Sequence, residues 1–385
     1  MSPAPSPTER ELPPESPGAF EAPEALVGQV LDGRYRLLSL ISQGSMGAVY
    51  RAEQLQLDRV VAIKLMWLDE AMVVEPARKT AAELFLHEAA TLARLDARNT
   101  VRIFDFGVWR ERPYLVMEYI AGQRLASIIH QEGRLEPGRV VELAVQVCRS
   151  LREAHRLGVV HRDLKPANIL VTIDEEGELV KVVDFGLVTH SGGQGASAEQ
   201  GRLVGSPRYM APEQIQEQAV DGRTDVYSLG VLLFRMLTGE LPFAAKGTAP
   251  TLMAHLSETP PTLASKLGAG VLPACFEWTV ATALAKDPAD RFGSVDELRT
   301  ALGACQVALA GGPALAQVQP SLVDGRCVLP DALLDGVLPR ASELVDRPTA
   351  APEPGTVPLL KVMLGLVVAV LGLAVVLLLL DPGPT

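Results

Sequence analysis

Apolar and polar residues alternate over five short runs between Tyr35 and about Ile120, the period of half-buried strands. The runs are RYRLLSLI, GAVYRAEQ, RVVAIKLMW, VRIFDFGVW and PYLVMEYI, and one stretch among them, AAELFLHEAATLARL, switches to helical spacing. From about Leu125 to Leu302 the helical period dominates, as in EPGRVVELAVQVCRSLREAHRLG and DVYSLGVLLFRMLTG. Two further strands, NILVTI and LVKVVDF, are joined there by the acidic turn Asp174-Glu175-Glu176-Gly177. The pattern predicts an α+β chain: a small sheet carrying one main helix, then a mainly helical second lobe. No solenoid repeat is visible.

Beyond Cys305 the stretch 306–358 is rich in alanine, proline and glycine with weak periodicity, which predicts a flexible linker. Val362 to Leu380 then gives 19 residues without a charge, the length of one membrane-spanning helix. Arg340, Arg347 and Lys361 precede it and Asp381-Pro382-Gly383-Pro384-Thr385 follows, so the positive-inside rule puts the large N-terminal portion in the cytoplasm. The expected organisation is a disordered Pro/Glu-rich tail (1–32), a folded body (33–305) with lobes at 33–118 and 121–305, the linker, a transmembrane helix at 359–380 and a short extracytoplasmic tail at 381–385. This describes a single-pass protein of the inner (plasma) membrane.

A chain of 385 residues exceeds what one hydrophobic core usually serves, in keeping with two lobes. Its net charge of −11 argues against nucleic acid as a partner. Cys148, Cys275, Cys305 and Cys327 form no C-x-x-C pair, which fits reduced thiols better than a disulfide frame or a zinc site. The first 25 residues lack the apolar core of a signal peptide.

The segment ISQGSMGAVY places Gly44 and Gly47 in a turn between two strands, where backbone N–H groups can approach a phosphate. Lys64, closing VAIK, stands where an ammonium can reach phosphates, and Glu88 in FLHEAATL is its expected ion-pair partner, with Glu83 the competing choice. The triplet Asp-Phe-Gly occurs twice, at Asp105-Phe106-Gly107 and at Asp184-Phe185-Gly186. Only the second follows an Asn, Asn168, through two strands and a tight turn that can bring two metal ligands together. Asp105 reads as a solvated strand-end carboxylate.

The stretch VVHRDLKPANIL resembles the eukaryotic-type (Hanks-type) serine/threonine protein kinases, in particular bacterial members anchored in the membrane. The resemblance implies the two-lobed protein kinase fold, with a small antiparallel N-lobe sheet, one main N-lobe helix and a mainly helical C-lobe. It implies ATP and magnesium as cofactors, with manganese as a substitute, and protein substrates. By it, Asp163 accepts the proton of the attacking hydroxyl, Lys165 steadies the γ-phosphate, and Asn168 and Asp184 bind the metal. LVMEYI resembles the link between lobes, with Met117 at the rear of the pocket, the Glu118 carbonyl and Ile120 N–H on adenine, and Ile41, Val49, Ala62 and Leu170 around the base.

In GSPRYMAPE, the family's substrate-receiving segment, Ser206 replaces a commoner threonine; Glu213 is expected to pair with Arg291, and Asp225 to brace the catalytic loop. Arg162 implies a loop ordered by phosphate, for which Thr189, Ser191, Ser197 and Ser206 are the candidate phosphosites. Two departures stand out: Ser42 where the family's loop usually opens with glycine, and Ala97-Arg98-Asn99-Thr100-Val101 where His-Pro-Asn-Ile-Val is usual. The expected activity is transfer of the ATP γ-phosphate to protein Ser/Thr hydroxyls, including its own. The alternative is a catalytically silent, nucleotide-binding membrane scaffold, for which Ser42 is the one argument. Gly365 and Gly372 are not at small-xxx-small spacing, so a homodimer would have to form without that motif.

Overall fold

The structure is a computed structural model that describes residues 22–44, 47–67, 77–185, 206–311, 321–323 and 326–328, with backbone alone at 77–84 and in the last two segments. The first lobe holds β1 (Val30–Leu31), β2 (Tyr35–Gly44), β3 (Gly47–Gln54), β4 (Arg59–Met66), α1 (Ala77–Leu92), β5 (Ile103–Trp109) and β6 (Arg112–Glu118). Its strands form one antiparallel sheet in the order β1-β2-β3-β4-β6-β5. Along β4 the two-residue period is explicit: Val61, Ile63 and Leu65 are fully buried on one face, while Ala62, Lys64 and Met66 occupy the other. The first face packs a cluster that includes Tyr35, Leu37, Tyr50 and Tyr114.

That cluster is closed from outside by residues expected to be disordered. Pro23–Leu26 forms a 3-10 turn and β1 pairs with β2 (Leu31 opposite Tyr35), while Leu26 and Leu31 are 0% exposed. Tyr50 Oη donates to the Pro23 carbonyl at 2.9 Å. The expectation of a disordered 1–32 therefore fails from residue 23 onward, because two leucines in a Pro/Glu-rich stretch suffice to cover an apolar sheet face.

The second lobe contains β7 (Gln123–Arg124), α2 (Leu125–Glu132), α3 (Pro137–Arg156), β8 (Ile169–Asp174), β9 (Gly177–Val182), α4 (Pro212–Ile215), α5 (Gly222–Thr238), α6 (Thr248–Ser257), α7 (Leu263–Leu267), α8 (Ala274–Ala283) and α9 (Val295–Gly311). α3 starts at an N-cap, Glu136, whose carboxylate accepts from Arg139 N, with Pro137 in the first turn. It buries Val140, Ala144, Val147, Leu151 and Ala154, one stripe at helical spacing. α5 is buried on every side from Thr224 to Phe234 and forms the lobe's central element. Asp221 caps its start, and Gly239 ends it in the left-handed conformation, where a Cβ would meet the Gly133 carbonyl oxygen at 2.7 Å.

The lobes are fastened by the segment that departs from the family's usual sequence. Asn99 Nδ2 donates to Gln146 Oε1 and the Val180 carbonyl, Thr100 and Ser150 share a buried hydroxyl contact, and Val101 N donates to the Val182 carbonyl. Glu153 on α3 accepts from the N–H groups of Asp96 and Ala97. The departure keeps this anchorage.

α9 runs to Gly311 and buries Ala304, Cys305 and Ala308, and β10 (Ser321–Val323) pairs with β11 (Arg326–Val328). The predicted linker thus begins as helix and includes a hairpin. No helix among the described residues is long and apolar enough to cross a membrane, and the stretch Val362–Leu380 lies outside them.

Candidate active site

Between the lobes lies a cavity of about 470 Å³. Every residue expected at the nucleotide, base and metal lines it except Glu88. Ala62 and Met117, on neighbouring strands and paired across them, are 6% and 7% exposed, and Leu170 reaches the cavity from β8 in the other lobe. Gly47 is required by packing: its φ is +150°, and a Cβ would lie 2.2 Å from the Leu65 carbonyl oxygen on β4. Ser42 sits in the β2–β3 ladder opposite Val49, so its side chain fits an extended strand without strain.

At the phosphate end Lys165 Nζ donates to Asp163 Oδ2 at 2.6 Å and to Ser206 Oγ at 2.7 Å, while Ser206 N donates to Asp163 Oδ1 at 3.0 Å. Asn168 Nδ2 donates to the Asp163 carbonyl and to Oδ2, which leaves the Asn168 amide oxygen for a cation. Ser206, expected from sequence in the substrate-receiving segment and as a phosphosite, is therefore also one of the contacts that hold the Asp163 carboxylate and Lys165. Its position in GSPRYMAPE was the available signal. Thr189, Ser191 and Ser197 lie outside the described residues.

Two strained residues line the same cavity as Asp163. Arg162 and Asp184 have φ of +63° and +61°, rarely adopted by residues with a Cβ. Asp225 on α5, fully buried, holds the first: its carboxylate accepts from His161 N at 2.9 Å, Arg162 N at 3.0 Å and His155 Nε2 at 2.7 Å. His161 in turn meets the Val183 carbonyl at 3.1 Å and stacks on Phe185 with centroids 4.6 Å apart. Glu213 and Arg291 form the expected pair, two buried contacts of 2.8 Å each.

Lys64 corrects one expectation. Its ammonium meets Asp184 Oδ1 at 2.9 Å, with side chains 11% and 33% exposed, and among the described residues it forms no ion pair with Glu88. Burial alone would raise the Asp184 pKa; the Lys64 ammonium, aided by His161 and Lys165, holds it below the ordinary carboxylate value. Glu88 is displaced from the cavity: burial raises its pKa to about 7, opposed by the Arg162 guanidinium. The physical reason is competition, since Asp184 already neutralises Lys64 and α1 leaves Glu88 near Arg162 instead. The side chain of Glu83, the competing choice, lies outside the described residues.

The Asp105 triplet is structural, though not solvated as its position suggested. Asp105 Oδ2 accepts from Arg34 Nη1 at 2.7 Å and Tyr35 Oη at 2.6 Å. Gly107 faces Tyr114 across β5 and β6, where a Cβ would come 2.8 Å from the Tyr114 hydroxyl. By contrast Asp184 and Asn168 offer one carboxylate and one amide oxygen in a single cavity, a donor set that suits a hard divalent cation completed by phosphate oxygens and water. Among the described residues no group of three or more His, Cys, Asp or Glu could hold a metal by itself.

Comparison with known proteins matches residues 35–297 to the protein kinase domain. The chain is 38% identical over 336 residues to the serine/threonine-protein kinase Pkn1 of Myxococcus xanthus, covering 87% of this chain and 45% of that protein. It is 35% identical to PrkC of Bacillus subtilis, covering 71% of this chain and 40% of the relative. The kinase domain of PknI from Mycobacterium tuberculosis superposes with a TM-score of 0.56 at 25% identity, over 72% of this chain and 97% of that structure. The chain spans about half the length, or less, of the curated relatives it matches. On this match and on the cleft that carries it, the chain belongs to the protein kinase family, among the eukaryotic-type serine/threonine kinases of bacteria.

Proposed function

We propose that the chain transfers the γ-phosphate of ATP to serine or threonine hydroxyls of proteins and is held at the inner membrane by its C-terminal helix. One observation carries the first part: Asp163 and Lys165, in the cavity that Lys64, Asn168 and Asp184 also line, are hydrogen-bonded to each other and to Ser206. Ala62, Val49 and Leu170 enclose the adenine, and the link at Glu118–Ile120 binds its edge. Asp163 accepts the proton as the hydroxyl oxygen bonds to the γ-phosphorus and the bond to ADP breaks; Lys165 neutralises charge on the transferred group. Asn168 and Asp184 would hold magnesium, which supplies charge neutralisation at the phosphates. Lys64 leaves Asp184 for the phosphates when α1 brings Glu88 toward it.

Incubation with magnesium ATP, read by phosphate mapped on serine and threonine, tests this. Asp163→Asn should lower transfer by roughly a hundredfold or more; equal transfer by both proteins would remove Asp163 as the base. Anchoring rests on the 19 uncharged residues from Val362 to Leu380. Deleting them should move the protein from the membrane fraction to the supernatant, and unchanged recovery in membranes would refute the anchor.

A further inference from the structure

The chain is acidic overall, yet the surface around the base is not. Arg124, the residue before α2, lines the cleft and pairs through β7 with Leu170, which lines it too. At the other end of α2, about 12 Å away, stands Arg134, and Arg208 lies in the Pro207–Tyr209 turn two residues from Ser206, itself bonded to Asp163 and Lys165. All three are exposed, and none makes a side-chain hydrogen bond or ion pair with a described residue.

A fourth arginine joins them. Arg235 on α5 donates from Nη1 to Tyr209 Oη at 2.7 Å, and its Nε is buried with no partner. Leu135 N donates to the Met236 carbonyl, which sets the end of α5 against the chain just after α2 and so beside Arg134. Glu132 is held by Arg139, Glu240 by Lys266 and Asp163 by Lys165, while Glu136, two residues after Arg134, accepts from Arg139 N at the start of α3. What remains is a surplus of positive charge along the cleft and beside the Ser206 segment that contacts Asp163.

The geometry points to a substrate-docking face for acidic segments: Arg124, Arg134 and Arg208 select serine or threonine acceptors flanked by aspartate or glutamate. The 12 Å span of α2 corresponds to about four residues of extended chain, so the acids lie within about four positions of the acceptor. Cations exposed at a rim act by steering and by weak pairing, so the preference is expressed in KM and fades with salt. The inference rests on the phosphotransfer reading above.

The test uses the full chain and three peptides with one threonine, flanked within four positions by glutamate, alanine or lysine. kcat/KM should favour the glutamate peptide over the lysine peptide by roughly tenfold or more at low salt, mostly through KM. The triple variant Arg124→Glu, Arg134→Glu, Arg208→Glu should reverse that order. Equal values for the three peptides, or a preference that survives the triple reversal, would overturn the inference while leaving phosphotransfer standing. Should neither a peptide nor the chain itself receive phosphate, the phosphotransfer reading fails, and fluorescence anisotropy of the same labelled peptides still decides the docking face. Tighter binding of the glutamate peptide, lost in the triple variant, supports it; equal binding overturns it.

Discussion

Asp105 and Asp184 share a triplet and differ in everything around it. The first is held by Arg34 and Tyr35 on the outer part of the sheet; the second faces Lys64 in the cleft. Asp184→Asn should lower phosphotransfer by on the order of a hundredfold or more, because a preorganised charge at the phosphates is lost. Asp105→Asn should leave transfer rates near those of the parent and lower the melting temperature by a few degrees, as expected for about 1 kcal/mol of a partly exposed charged hydrogen bond. A melting curve and a rate for each variant check both statements. Sequence could separate the two triplets because Asn168 and a hairpin precede only one of them. It could not show what holds Asp105, since Arg34 and Tyr35 lie about seventy positions away and their register is set by pairing across three intervening strands.

At the scale of elements, α1 was the least legible part of the site. Its spacing identified a helix and named Glu88, but which way a helix carries a carboxylate depends on a rigid-body position that no local pattern encodes. The structure pairs Lys64 with Asp184 and leaves the Glu88 carboxyl under the influence of Arg162. A carboxyl whose folded pKa is raised to about 7 binds a proton that the unfolded chain has already released at that pH. Its contribution therefore makes the fold less stable as pH rises from the ordinary carboxylate range to about 7, and adds nothing further above that. Melting temperatures measured across this window should fall less steeply with rising pH in Glu88→Gln than in the parent; identical slopes would place the titration elsewhere.

For the whole molecule, the two lobes, the sheet and the catalytic loop were legible because each carries its own period or motif, and the buried stripe of α3 and the all-round burial of α5 follow from the same patterns. The strap at 23–31 was not, because its composition signals disorder and its function depends on only two leucines. It has a consequence for how the protein can be handled. β2 without β1 is an unprotected outer strand, since Leu37 N now donates to the Gln29 carbonyl and the Gly28 N–H to the Leu37 carbonyl. A fragment starting at Tyr35, where the family match begins, would expose both those backbone groups and the sockets of Leu26 and Leu31. It should melt at least about 5 °C lower than a fragment starting at Ala22, and, as bare strand edges recruit one another, it should self-associate where the longer fragment stays monodisperse in light scattering. The acidic leader thus ends in a built-in guard against edge-to-edge aggregation.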